Sequence, residues 1–359
     1  MSRPQISIDE IAKLLFNFYG LQVISARELN GYDDRNFHVI VDVNINNNKR
    51  IGKVVKCGYV LKIVNSLDSE KELLFEAQTE LLRHLNNNHV KCPLPVLTVD
   101  GKGHMKIDLR SGGHIARLLE YIEGTILYEI ESDSKILFQI GQLTARIDSV
   151  LQSFRHPAYD DYKTPWTLGE VPNLTNYLHA VRDKNKRILF EEIISEFTRR
   201  VAAKSHTLQK GLIHGDVNEQ NLLVDKNGGR WTVTALIDYG DTHHACYLFE
   251  LAIAMSYMIF QSGKIDNGAY VLAGYKSVRD VPDQEFNLLK ICISARLVQS
   301  IVMGAYANLQ DPNNTYVLTT ATRGWEMVKE LSEIDETHLL EKWKHISLTY
   351  NADECKIAD

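Results

Sequence analysis

The stretch from Gly211 to Asp241 constrains the fold of this 359-residue chain more than any other part of it. Two short apolar runs flank the turn-forming residues Asp225–Gly229, a pattern that predicts a β-hairpin. Asp216 and Asn221 precede the first strand of this hairpin, and Asp238 follows the second strand. The hairpin should therefore bring two carboxylates and one carboxamide together at its base.

These side chains, in this order, suit the transfer of a phosphoryl group. Asp216 would take the proton of an acceptor hydroxyl, while Asn221 and Asp238 would hold the metal that neutralises the phosphates of a nucleotide. The spacing from His214 through Asp216 to Asn221 is that of a kinase catalytic loop, and Asp238-Tyr239-Gly240 stands where D-F-G would. A lone Asp beside Gly usually marks only a turn, but the combination predicts a kinase active site.

The motif residues also resemble those of a known family. HGDxxxxN followed by IDYGD is similar to the aminoglycoside phosphotransferase-like, or choline kinase-like, small-molecule kinases, in which Gly replaces the Arg of H-R-D. Within that family, the loop Gly31–Val39 resembles that of the hydroxylysine kinase branch. The resemblance extends from about Ile8 to the region of Trp325.

This resemblance implies a two-lobe, protein-kinase-like α+β fold. We expect an N-lobe over residues 1–122, with a five-stranded antiparallel sheet and one main helix. We expect a larger, mainly helical C-lobe over residues 123–359, and the two lobes together form one kinase-like domain.

Lys62 lies in the middle of the apolar strand Tyr59–Val64, where an unpaired ammonium would be costly. It is either a lysine on the solvated face of an edge strand or the kinase lysine that holds the α- and β-phosphates. The helix predicted over Ser66–Leu85 then places three glutamates, spaced by four residues, on one face. The resemblance favours Glu76 among them as the partner of Lys62.

Two further segments belong to the expected nucleotide site. The loop Asn30–Asn36 has the position of a kinase nucleotide loop but contains one glycine, so an ordinary hairpin connection is an equal alternative. The resemblance implies that Gly31, Arg35 and Asn36 cover the phosphates. It also implies that the hinge backbone, from Glu120 to Ile122, contacts the purine and that GTP is the donor, although backbone contacts by themselves leave ATP equally open.

The acceptor site is less sharply defined by the sequence. No long activation segment and no A-P-E follow Asp241, which speaks against a protein kinase. Arg296 lies among apolar helical neighbours, either in a structural ion pair or as a fork that binds a substrate carboxylate. Asp241 and Glu250 are candidates for binding substrate amines, and Glu250 is alternatively a cap or ion-pair partner inside its own helix.

The predicted reaction is Mg²⁺-dependent transfer of the γ-phosphoryl group of a nucleotide to a small hydroxylated amine or amino acid. The resemblance implies 5-hydroxylysine as the acceptor. Homoserine, choline, methylthioribose and aminoglycosides are the alternatives within this enzyme class. A pseudokinase that binds a nucleotide without catalysis is the alternative outside it.

Composition limits the remaining choices. A net charge of -6 argues against a general nucleic-acid surface, and five dispersed cysteines without a C-x-x-C pair indicate reduced thiols. The N-terminus lacks the apolar core of a signal peptide. The most apolar run, Ala245–Phe260, is too short to span a bilayer and predicts a buried helix. We expect a cytoplasmic protein that binds neither nucleic acid nor a membrane, and the sequence leaves the oligomeric state open.

Overall fold

The computed structural model describes residues 3–31, 33–310, 312 and 321–350. Internal contacts divide the chain into two compact units. Unit 1 comprises Met1–Glu123 and the short segment His156–Ala158, and unit 2 comprises Gly124–Arg155 and Tyr159–Asp359.

Unit 1 is built on an antiparallel sheet of six strands. The strands are β1 (Leu21–Leu29), β2 (Arg35–Asn46), β3 (Tyr59–Ile63), β4 (Pro95–Val96), β5 (Met105–Leu109) and β6 (Gly112–Glu120). Their order is β1-β2-β3-β6-β4, and β5 also pairs with β6. The expected sheet had five strands, one fewer than the structure has. Strand β4 has only two residues and begins with proline, which is typical of a sheet edge.

Two α-helices accompany this sheet, α1 (Ile8–Leu14) and α2 (Glu72–Asn87). A capping box starts α1, because the Ser7 hydroxyl accepts from the Glu10 N–H and the Glu10 carboxylate accepts from the Ser7 N–H. The apolar face of α1 packs with buried residues that alternate along β2 and β3, among them Val39 and Leu61. The alternation of strand side chains directs Lys62 to the other face of the sheet.

Unit 2 is mainly helical. Its helices are α3 (Ser134–Leu151), α4 (Lys184–Arg200), α5 (Tyr247–Ser262), α6 (Gly268–Lys276), α7 (Asp283–Phe286), α8 (Leu289–Gln310), α9 (Ala321–Glu333) and α10 (Glu336–Thr349). Its strands are β7 (Thr125–Ile126), β8 (Lys210–Ile213), β9 (Leu222–Asn227), β10 (Arg230–Leu236) and β11 (His243–Cys246). They form a three-stranded sheet in the order β10-β9-β7 and a separate pair of β11 with β8.

The apolar helices form the centre of unit 2. Every residue of α5 from Tyr247 to Phe260 is buried, which confirms the buried helix predicted from the apolar run. Helix α8 is long and apolar enough to cross a bilayer by length and composition, but 83% of its apolar window is buried inside the protein. Both helices are therefore core helices of this unit.

The C-terminal helices differ in part from what the sequence predicts, which is one helix over about 283–303 and another over about 315–331. The single helix over 283–303 is wrong, because α7 ends at Phe286 and α8 begins only at Leu289. Tertiary contacts hold this break, since the Asn287 carbonyl accepts from Arg200 and the Glu285 carboxylate accepts from the Gln209 N–H. The helix expected over 315–331 begins outside the described residues and continues as α9, and α10 was not expected.

Candidate active site

The predicted hairpin is present, and its base carries the predicted residues. Strands β9 and β10 pair antiparallel, with Leu222 opposite Leu236. Next to this pair, the Ile237 N–H donates to the Asn221 carbonyl over 2.9 Å. This backbone hydrogen bond joins the end of the catalytic loop to the residue that precedes Asp238.

The Asp216 carboxylate is held on both of its oxygens. Oδ2 accepts from the side-chain amides of Asn221 at 2.9 Å and Asn218 at 2.8 Å, and Oδ1 accepts from the Arg296 guanidinium at 3.1 Å. The side chain remains 22% exposed. A fixed but accessible carboxylate has the properties that a general base needs.

Asn221 and Asp238 offer the oxygen ligands that Mg²⁺ prefers. The hydrogen bonds described for the Asn221 side chain use Nδ2, which donates to the Asp216 carbonyl and carboxylate, so the amide oxygen remains for a metal. Asp238 is exposed and adopts a left-handed backbone conformation, with φ 63° and ψ 66°. Such strain in a non-glycine residue is typical of functional sites.

The described residues contain no group of three or more His, Cys, Asp or Glu side chains that could hold a metal ion. A magnesium–nucleotide site needs only one or two protein ligands, because the phosphates and water supply the others. Asn221 and Asp238 thus fit a metal that arrives with its nucleotide. Such a metal would neutralise charge on the transferred phosphoryl group.

His214 and Gly215 shape the turn that carries Asp216. The Asp216 N–H donates to Nδ1 of the buried His214 ring at 3.2 Å, and Nε2 donates to the Ile237 carbonyl at 3.0 Å. Gly215 has φ +83°, and a Cβ there would lie 2.7 Å from the Asp241 carbonyl oxygen. Only glycine fits this position, and the histidine has a structural role.

Glu250 holds the same loop through a buried hydrogen bond. This residue of α5 is 1% exposed, and its Oε2 accepts from the Gly215 N–H at 3.0 Å. Burial raises the pKa of Glu250 to about 7. Burial and the nearby Glu250 raise the pKa of Asp148 well above its usual range, and the Asp148 carboxyl accepts from the Tyr275 hydroxyl at 2.6 Å. These contacts give Glu250 a positioning role, and amine binding by Glu250 stays a prediction.

Arg296 is placed at the catalytic residue. Besides Asp216, its guanidinium donates to the Trp166 carbonyl at 2.9 Å and to the Gln299 side chain at 3.0 Å. Gln299 in turn donates to the carbonyls of Pro165 and Thr167. Arg296 is 2% exposed. The structural ion pair that the sequence left open is therefore present, and its partner is the candidate base.

Asp241 lies close enough to Arg296 for its negative charge to stabilise the positively charged guanidinium. The Asp241 carbonyl accepts from Nδ1 of His243 at 2.6 Å. Burial lowers the pKa of His243 to about 4, so this histidine is neutral at physiological pH. The assignment of Asp241 to a substrate amine stays a prediction.

In unit 1, a row of polar side chains crosses the sheet. Asn36 pairs with Lys62 across β2 and β3, and Lys62 pairs with Arg117 across β3 and β6. Directly opposed residues of an antiparallel sheet point to the same face. Lys62 is 9% and Arg117 4% exposed, and the Arg117 guanidinium lies 5.5 Å from the centre of the Phe75 ring. Two buried cations side by side form a surface suited to polyphosphate.

Glu76 lies on the exposed side of helix α2. This helix buries the neighbouring residues Phe75 and Ala77 and leaves Glu76 exposed. The pairing of Glu76 with Lys62, which the resemblance implies, stays a prediction.

The loop and hinge residues are mostly held within unit 1. Arg35 forms a two-fold hydrogen bond with Glu28, at 2.8 and 2.6 Å, and a third with the Ile6 carbonyl. The Asn36 amide donates to the Asn30 carbonyl, and a Cβ on Gly31 would collide with the Asp34 carbonyl. Arg35 is therefore engaged inside its own unit, and its contact with phosphates stays a prediction.

At the hinge, the Glu120 N–H donates to the Leu94 carbonyl and the Tyr121 N–H donates to the Gly58 carbonyl. These two donors are occupied by the sheet, whereas Ile122 follows the last paired residue of β6. The purine contact of Glu120 and Ile122 stays a prediction. Any such contact by Glu120 would use its carbonyl rather than its N–H.

Two residues near these sites were missed by the sequence reasoning. Arg117 stands in an apolar strand as Lys62 does, so the same argument about an unpaired cation would have found it. Glu219 lies inside the catalytic loop and is 7% exposed, and burial raises its pKa to about 7. No periodicity marks a buried carboxyl in a loop, and only the structure reveals it.

Comparison with known proteins decides the family. Residues 27–282, well over half of the chain, match the phosphotransferase enzyme family (APH). The chain belongs to this family. It is 31% identical to the hydroxylysine kinase of Xenopus laevis, across 98% of this chain and 96% of that protein. It is 25% identical to a homoserine kinase of Chelativorans sp. (strain BNC1), across 66% and 70% of the two chains.

The family also confirms the predicted fold. The solved structure of an amicoumacin kinase superposes with a TM-score of 0.65 at 16% identity, across 93% of this chain and 97% of that one. The two-lobe, kinase-like α+β prediction is confirmed. The phosphotransferase is a small-molecule kinase that acts on a hydroxyl group.

We expect Asp216→Asn to keep the fold and the nucleotide affinity but to lower kcat by about 10²–10⁴-fold, the usual contribution of a positioned base. Steady-state phosphorylation of the acceptor measures this loss. Asp225→Asn, the same change in β9, is the control and should behave as wild type. A near wild-type kcat for Asp216→Asn would remove Asp216 from the role of base.

Asp238→Ala should abolish metal-dependent binding of the nucleotide, because the metal bridges the protein and the phosphates. Titration calorimetry with the nucleotide, in the presence and absence of Mg²⁺, tests this. Unchanged affinity of the variant for the magnesium complex would place the metal elsewhere, with Asp241 as the next candidate.

Lys62→Met and Arg117→Met should each raise the nucleotide KM by about 10- to 100-fold, as expected for the loss of a charge-assisted hydrogen bond. The acceptor KM should change little. Lys106→Met removes an exposed lysine of β5 in the same sheet and serves as the control. If Arg117→Met leaves the nucleotide KM unchanged while Lys62→Met raises it, the phosphate-binding surface contains one cation and not two.

Proposed function

We propose that this kinase transfers the γ-phosphoryl group of a nucleotide, with Mg²⁺, to the hydroxyl of 5-hydroxylysine. The observation that carries the proposal is the near full-length similarity to the Xenopus laevis hydroxylysine kinase, together with a complete Asp216, Asn221 and Asp238 constellation. A pseudokinase reading has no support in this site, since each of the three positions keeps the expected side chain.

The role of each residue follows from its surroundings. Asp216 orients the acceptor hydroxyl and takes its proton, while Arg296 and Asn218 keep the carboxylate in one orientation. Asn221 and Asp238 hold Mg²⁺ on the phosphates. Lys62 and Arg117 bind the polyphosphate from unit 1. Arg296 also places a positive charge beside the base, and that charge would attract the carboxylate of an amino acid acceptor electrostatically.

The donor and metal rest on chemistry and on the neighbours. The amicoumacin kinase was solved with AMP-PNP and Ca²⁺, and a related aminoglycoside phosphotransferase was solved with GDP. The ligand set of one carboxylate and one carboxamide oxygen suits Mg²⁺. We propose GTP as the donor because of the similarity to the hydroxylysine kinases, with ATP as the alternative.

We place the enzyme in the cytoplasm. The four cysteines among the described residues are free thiols, as expected in a reducing compartment.

Homoserine is the second candidate acceptor. The homoserine kinase relatives favour it, but they match a smaller share of this chain than the hydroxylysine kinases do. Homoserine and 5-hydroxylysine both present a hydroxyl, an α-ammonium and an α-carboxylate. They differ in the second amine, which only 5-hydroxylysine carries.

A panel of acceptors tests the proposal. The purified enzyme is supplied with Mg²⁺ and either ATP or GTP, and phosphorylated product is followed for 5-hydroxylysine, homoserine, choline and an aminoglycoside. We expect the highest kcat/KM for 5-hydroxylysine with GTP. Preference for homoserine or choline would refute the acceptor and keep the kinase, and preference for ATP would refute only the donor.

A further inference from the structure

Glu219 is a buried carboxyl group in the catalytic loop that has no role in the reaction as proposed so far. It lies three residues after Asp216 and is 7% exposed. Its Oε2 is buried and has no hydrogen-bond partner within the part of the chain that the structure describes. The carboxylate accepts one hydrogen bond from its own backbone N–H, and the remaining oxygen would gain most from a cationic partner.

Glu219 lies among residues that surround the candidate base. Its carbonyl accepts from the Tyr128 N–H at 3.0 Å, which fixes this part of the loop. Glu219, Asp216 and Arg296 all lie close enough to the phenol of Tyr257 to influence it electrostatically. Tyr257 is 7% exposed, and its ring centre lies 5.4 Å from the Arg296 guanidinium.

The cation that contacts Asp216 uses both of its terminal nitrogens for protein partners. Arg296 gives one terminal nitrogen to Asp216 and the other to the Trp166 carbonyl and Gln299. An ammonium group brought by the ligand would supply the partner of the Glu219 carboxylate. Because one short loop carries Asp216 and Glu219, that ammonium would lie near the hydroxyl that Asp216 deprotonates.

We propose that Glu219 binds an ammonium group of the acceptor next to the reacting hydroxyl, so that the enzyme selects 1,2-amino alcohols. This inference rests on the proposed function and sharpens it. In 5-hydroxylysine, the hydroxyl and the side-chain amine are on adjacent carbons. In homoserine, one further carbon separates the amine-bearing carbon from the hydroxyl-bearing carbon, so the pair fits this arrangement less well.

The test compares acceptors that differ only in this amine. 5-Hydroxylysine and 5-hydroxynorleucine share the α-amino acid group and the hydroxyl, and the second lacks the side-chain amine. Glu219→Gln keeps the shape of the side chain and removes its charge. We expect it to raise the KM for 5-hydroxylysine by roughly 10- to 100-fold, as for a lost charge-assisted hydrogen bond, and to leave the KM for 5-hydroxynorleucine unchanged.

Glu129→Gln is the matched control, because Glu129 is an exposed carboxylate beside Tyr128 and should give wild-type values for both acceptors. A second measurement needs no variant: wild-type kcat/KM should be at least tenfold higher for 5-hydroxylysine than for 5-hydroxynorleucine. Equal wild-type values, or an equal effect of Glu219→Gln on both acceptors, overturn the inference and leave Glu219 a structural loop residue.

The two proposals fail in different ways. If the wild-type enzyme phosphorylates 5-hydroxylysine and Glu219→Gln leaves its KM unchanged, only the role of Glu219 is overturned. If the wild-type enzyme does not phosphorylate 5-hydroxylysine with either nucleotide, the proposed function and this inference are both overturned.

Discussion

The hydrogen bonds that hold the catalytic loop against the hairpin are the constraint on which the site depends. His214 bridges the Asp216 N–H to the Ile237 carbonyl, and the Asn221 carbonyl accepts from the Ile237 N–H. The buried Glu250 carboxylate also accepts a hydrogen bond from the Gly215 N–H. Because these bonds fix the backbone on both sides of Asp216, its carboxylate is oriented before any substrate arrives. Such preorganisation removes the cost of ordering the base during the reaction.

Charge around Asp216 is arranged asymmetrically. Arg296 pairs with Oδ1, and the amides of Asn218 and Asn221 occupy Oδ2. Glu219 adds a second carboxyl in the same loop with an oxygen that has no partner among the described residues. A cationic acceptor would be stabilised by this pattern, whereas a neutral alcohol would gain little from it. The likeness to kinases of hydroxylated amino acids and the charges of unit 2 both support the acceptor that we propose.

Unit 1 places two cations opposite each other on one face of its sheet. Glu76 faces solvent, and the row of Asn36, Lys62 and Arg117 crosses the face of the sheet opposite the apolar core. Directly opposed cations repel each other. A polyphosphate bound there, as we propose, would offset that repulsion.

The sequence alone determined the chemistry-bearing hairpin, the α+β class and most helices, because these depend on local spacing and on the periodicity of apolar residues. Asp216, Asn221 and Asp238 could be identified because they flank a predicted hairpin at the spacing of a kinase catalytic loop and metal-binding motif. Only the tertiary structure decided the partners of long charged side chains. Arg296 comes from a helix 80 residues after Asp216, Glu76 turned outward, and Arg117 and Glu219 became visible through burial. The break between α7 and α8 likewise depends on Arg200 and Gln209, distant residues whose contacts no local pattern encodes.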